Sequence, residues 1–86
     1  MTKLHATDGG VVGTYPLPSD SYPVAVAFDG ANIWVANFYG NSVTKLRATN
    51  GSVVGTYTVG TNPYGLAFDG TQIWVANQSS NSVSKR

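Results

Sequence analysis

The side chains that could act as acids, bases or hard-metal ligands are few: His5, Asp8, Asp20, Asp29 and Asp69, with no glutamate and no cysteine. Without cysteine there is no disulfide and no thiolate metal site. Nucleophilic catalysis needs a nucleophile beside a base that a third group orients, and nothing around the lone histidine has a Ser-His-Asp spacing. Acid–base chemistry would rest on one of the aspartates, none of which has an evident partner. Calcium loops need several spaced oxygens, whereas Asp29 and Asp69 each stand alone before a glycine. They could be carboxylate ligands converging at one end of the fold; the Asp-Gly pairs instead mark them as turn residues. Trp34 and Trp74 could stack on a sugar or another planar ligand, but their mid-strand place among apolar neighbours favours a core role. No catalytic residue, no metal and no cofactor is expected.

The elements that must position these residues belong to one small domain. Eighty-six residues bury about 60% of their unfolded surface and are marginal alone, so oligomerisation is one usual remedy. The net charge is +1, and charged residues make up 10% against roughly 25% in an average globular protein. Low charge with many Val, Thr, Gly and aromatics fits β-structure. No basic stripe points to nucleic acid, and no apolar run approaches the ~20 residues of a membrane helix. The N-terminal stretch has no signal-peptide core and reads as the start of an excised or engineered piece. The triplets Asn50-Gly51-Ser52 and Asn77-Gln78-Ser79 match the glycosylation pattern, and without that core they read as chance.

The sequence repeats. Ile-Trp-Val-Ala-Asn stands at 33–37 and 73–77, Phe-Asp-Gly at 28–30 and 68–70, Asn-Ser-Val at 41–43 and 81–83, and Val-Val-Gly-Thr-Tyr at 11–15 and 53–57. A period of about 40 residues is that of a four-stranded unit. Strands are expected over 24–28, 32–37, 41–48 and 52–59, with hairpin turns at Asp29-Gly30 and Asn50-Gly51 that need positive φ. A third-type strand over 2–6 and a fourth-type strand over 10–15 precede them, and the chain closes on a third-type strand over 81–86. His5 falls on a rim strand where the next repeat has Arg47. In 33–37 both faces are mostly apolar, as in a strand covered on both sides. Phe28, Ile33, Trp34, Val35, Phe68, Ile73, Trp74 and Val75 are expected to pack between sheets, with Tyr15 and Tyr57 beside them. The third strand, with Thr44, Lys45 and Arg47, reads as wetter and nearer the rim.

The run Pro-Tyr-Gly-Leu-Ala-Phe-Asp-Gly at 63–70, followed by 73–77 and 81–83, resembles the YVTN family of β-propeller repeats within the WD40-like and NHL-like group. Trp-Val-Ala-Asn stands where the family motif has Tyr-Val-Thr-Asn. The resemblance implies an all-β fold of two four-stranded antiparallel blades, circularly permuted. It places 24–28 innermost and 52–59 outermost. The repeat units are about 2–43 and 44–86, and the outer strands over 2–15 would complete a blade of a neighbouring chain. Such a head-to-tail contact closes into a ring or runs on as a filament. With about 4–8 blades in a propeller, four chains and eight blades are preferred, three chains and six blades second. The partner expected is therefore the chain itself, and the role structural or interaction-mediating. An enzyme, a lyase or hydrolase, is disfavoured by the missing glutamate and lone histidine. The repeats differ most at one end, at residues 16–22 against 60–62 and at Phe38-Tyr39 against Gln78-Ser79. Tyr22, Phe38, Tyr39, Asn62 and Gln78 are the candidate ligand-face residues there, for a carbohydrate or another ligand.

Overall fold

The structure, a computed structural model, describes residues 1–4, 11–14 and 22–86, and of the first two strands the backbone. His5, Asp8, Tyr15 and Asp20 lie outside the described residues. The strands are β1 (Thr2–Leu4), β2 (Val11–Thr14), β3 (Pro23–Phe28), β4 (Asn32–Asn37), β5 (Ser42–Arg47), β6 (Val53–Thr58), β7 (Pro63–Phe68), β8 (Ile73–Asn77) and β9 (Ser82–Lys85). They form three antiparallel sheets in the orders β1-β2, β3-β4-β5-β6 and β7-β8-β9.

The turns differ from simple Asp-Gly and Asn-Gly hairpins. Asp29 N–H donates to the Asn32 carbonyl at 3.1 Å, so Gly30 and Ala31 are the turning residues, and only Gly30 has positive φ, at 98°. Gly70 repeats this at 102°. The aspartate stays in the strand frame and uses its side chain to cap the turn. Between β5 and β6, Arg47 N–H bonds the Ser52 carbonyl at 2.9 Å, which makes 48–51 a four-residue loop with Gly51 left-handed at 73°. Four-residue loops of this kind extend the strand pair without splaying it.

Cross-strand neighbours in an antiparallel pair share a face. Trp34 lies opposite Ala27 and Lys45, and Val43 lies opposite Ala36 and Tyr57. That face of the four-stranded sheet packs on the three-stranded one, where β7 lies against β3 and β4. The core between them holds Trp34, Val43, Ile73 and Val75, with Ala27, Tyr57, Val59 and Leu66 packed around it. The other face of β4 and β5 is buried at Val35, Thr44 and Leu46. This corrects the reading of β5 as a wet strand. It lies between β4 and β6, and the hydroxyl of Thr44 is consumed by a buried amide, so the rim character falls to β6, whose Val53 and Val54 are exposed.

Three of the residues expected to pack between sheets are open in the single chain. Phe28 is 56% exposed on the face it shares with Val26 and Ile33, which the second sheet does not cover, and Phe68 is 38% exposed at the end of β7. Trp74 is 41% exposed, on the face of β8 opposite to the one whose Ile73 and Val75 pack on the first sheet.

Candidate functional site

Each Asp-Gly turn is tied to the tryptophan that follows it. Asp29 Oδ1 accepts from the N–H groups of Ala31 and Asn32 at 2.9 and 2.7 Å, and its Oδ2 accepts from Trp34 Nε1 at 2.8 Å. Asp69 does the same with Thr71, Gln72 and Trp74, at 2.8, 2.8 and 2.7 Å. Each donor stabilises the charged carboxylate. The Trp34 indole, then the turn amides, hold Asp29 below its ordinary value; at Asp69 the Trp74 indole leads and the value falls to about 2. Each carboxylate accepts three hydrogen bonds and is held in its charged form. Lys45 and Lys85 lie over the Trp34 and Trp74 rings at 5.1 and 5.2 Å.

Asn37 and Asn77 close β4 and β8 as buried amides. Asn37 Nδ2 donates to Thr44 Oγ1 at 2.8 Å and to Ser42 Oγ at 3.2 Å; Asn77 Nδ2 donates to Ser84 Oγ at 2.9 Å. Burial of Asn77 removes it as a glycan acceptor, whereas Asn50 is exposed.

The five candidate ligand-face residues are brought to one end and linked in series. Phe38 N–H donates to the Tyr22 carbonyl at 3.1 Å, Asn62 Nδ2 to the Phe38 carbonyl at 3.0 Å, and Gln78 N–H to the Asn62 carbonyl at 3.0 Å. Asn62 N–H also donates to Asn41 Oδ1 at 2.9 Å, so Asn62 fastens the second sheet to the loop of the first. The rings gather there: Tyr22 lies 4.9 Å from Tyr39 and 6.2 Å from Phe38 between centroids. Tyr64 joins them, 6.2 Å from Phe38 and edge-on. Sequence reading missed Tyr64, although its place after Pro63, where the first repeat has Val24, was a usable signal. Tyr22, Tyr39 and Tyr64 are each more than half exposed. Tyr22 also has φ of 51°, the left-handed value that Asn62 takes at the matching place. A tyrosine pays for that conformation where an asparagine adopts it readily.

No family model matches the chain, and no curated protein matches it. Solved structures do, among them the following two. Hydrazine synthase of Kuenenia stuttgartiensis is similar over 90% of this chain, at 30% identity and a TM-score of 0.71. A streptogramin B lyase is similar over 98% of it, at 21% identity and a TM-score of 0.71. The chain spans 23% and 32% of the lengths of those two chains. Both likenesses run through the antiparallel sheets described above. The four-stranded and three-stranded sheets are β-propeller blades.

The first blade, β3 to β6, and the second, β7 to β9, thus meet as neighbours in a propeller do. The Trp34 and Val43 face of the first packs on Leu66, Ile73 and Val75 of the second. The matching surface of the second blade is open, and that of the first is open along β3. On the second blade Trp74 is 41% exposed, Val83 is 62% exposed and Ala76 is exposed, where Trp34, Val43 and Ala36 are buried. On the first, Pro23 is exposed and Val26 is 58% exposed, where Pro63 is buried and Leu66 is packed in the core.

Proposed function

We propose that this chain is a non-enzymatic propeller unit of YVTN-type repeats, whose two open blade faces bind further blades, supplied for the chain by its own copies. The observation that carries it is the internal contact. One chain contains both halves of the interface, packed together between its blades, and displays one half again, uncovered, at Trp74, Ala76 and Val83, and the other in part, at Pro23, Val26 and Phe28, beside the buried Val35 and Leu46. An apolar blade face of this kind gains by burial at roughly 25 cal/mol per Å². The contact is head-to-tail, so copies add until a ring closes, with four chains and eight blades preferred. Use of Asp29 and Asp69 as turn caps and indole acceptors supports the non-enzymatic reading. Light scattering on the chain and on Trp74→Lys tests it. The native chain is expected to assemble and the variant to remain single; a variant that assembles equally well would refute the face assignment.

A second reading is favoured by the aromatic end. Four rings converge there, three of them open, and Tyr22 is held in a strained conformation, a feature that gathers at ligand clamps. This end would bind a carbohydrate through ring faces and neutral amides. Glycan-array binding that is lost with Phe38→Ala and Tyr39→Ala supports it, and an array without binding rejects it.

A further inference from the structure

The two ends of the chain carry the same piece of the repeat. β1 pairs with β2 as Thr2–Thr14, Lys3–Gly13 and Leu4–Val11, with a bulge between Lys3 and Leu4. β5 pairs with β6 as Thr44–Thr56, Lys45–Gly55 and Leu46–Val53, with the bulge at the same place. β1 is therefore a strand of the β5 type. β9 is another: Ser84 and Lys85 face Val75 and Trp74 as Thr44 and Lys45 face Val35 and Trp34. Residues 2–4 and residues 84–86 thus fit one position, the outward edge of β8 from Val75 to Ile73. In the single chain β9 occupies it fully. Arg86 and Ile73 exchange both backbone bonds, at 2.7 and 2.9 Å. A hairpin arriving from a neighbouring copy cannot simply fill an empty third-strand place, because the place is taken.

We propose that copies join by strand exchange. Residues 2–4 of the incoming chain displace residues 84–86 on β8, β2 becomes the missing fourth strand, and the displaced tail is released. This rests on the reading of the open blade faces as an interface between copies. The exchange exchanges like for like and adds burial. Thr2 brings a hydroxyl of the kind that Asn77 Nδ2 now finds on Ser84, as Thr44 does for Asn37. Lys3 brings the ammonium group that Lys85 holds over Trp74. Leu4 takes the place where the first blade buries Leu46 and where the second holds the exposed Arg86. Burying leucine there is favourable, whereas Arg86 spends its guanidinium outside the blade, on the Thr58 carbonyl and 5.4 Å over the Tyr57 ring. The incoming hairpin also carries Val-Val-Gly-Thr-Tyr, the segment whose Tyr57 lies 5.7 Å from Trp34 in the first blade. Trp74 lacks that cover in the single chain.

The tail then acts as a built-in competitor of assembly, and altering it should strengthen the association. Arg86→Pro removes the N–H that bonds Ile73 and frees the β8 edge. The protein concentration at half-assembly is expected to fall about tenfold. Leu4→Pro removes the matching N–H of the incoming strand, and the midpoint is expected to rise by at least about tenfold. Hydrogen exchange on the native chain gives a readout that does not depend on either variant. The amides of Ser84 and Arg86, which bond β8, are expected to exchange faster in the assembly than in the single chain, while Ser82 stays protected. A native chain that remains single at every concentration would overturn the copy–copy interface itself. Assembly that ignores both prolines and protects Ser84 and Arg86 would overturn the exchange alone.

Discussion

Gly60 shows how closely the connector into the second blade passes over the repeat's buried asparagine. A Cβ there would lie 2.6 Å from Asn77 Cγ and 2.8 Å from Ser80 Oγ. Asn77 is buried and tied to β9, so it cannot swing aside. Gly60→Ala is expected to destabilise by about 1–3 kcal/mol, measurable by denaturant unfolding. The Asp–Trp pair gives a pH signature. Asp69 has its value lowered to about 2, so its contribution is present above the ordinary carboxylate range and is lost as pH falls towards 2. Asp29 is shifted in the same direction and adds to the same window. Thermal unfolding of Asp69→Asn should therefore show a shallower loss of stability between about pH 4 and 2 than the native chain. An unchanged slope would mean that the indole bond does not hold the carboxylate. Asp29 and Asp69 were legible as turn residues from the Asp-Gly pairs. Their bond to an indole five residues on was not, because it depends on how far the hairpin carries the tryptophan ring back over the turn.

Strand type and order were readable from the repeat itself, since alternation and turn residues are local. Burial was not, because it depends on what covers each face. β4 and β8 share Ile-Trp-Val-Ala-Asn, yet Trp34 is 8% exposed and Trp74 41%. The same motif therefore has two energetic values. In the single chain Trp34→Ala is expected to cost about 3–5 kcal/mol, and Trp74→Ala far less, by denaturant unfolding. Equal costs would mean that Trp74 is already covered in solution. The wet reading of β5 failed for a related reason. Thr44 looks like a surface residue in sequence, but its hydroxyl satisfies Asn37 in the interior. The loop between β6 and β7 makes a further element-scale case. Asn62→Ala removes the amide that bonds the Phe38 carbonyl, while its backbone bond to Asn41 survives. A loss of about 1–3 kcal/mol is expected, from the hydrogen bond and from alanine at the left-handed φ of 53°, with the aromatic end loosened and the blades intact.

At the scale of the whole molecule, two blades expose what a propeller buries. The aromatic end was anticipated at Tyr22, Phe38 and Tyr39, because divergence between repeats marks loops, whereas Tyr64 lies on a strand and carried no loop signal. The complementary outer faces became visible only when matching positions could be compared for burial, Pro23 with Pro63 and Val83 with Val43. Native mass spectrometry over a dilution series tests this most directly. A closed species at a small whole multiple of the 9.0 kDa chain is expected, fourfold for eight blades, falling to single chains on dilution. A stable, well-folded 9.0 kDa species alone, at concentrations from nanomolar to millimolar, would contradict it.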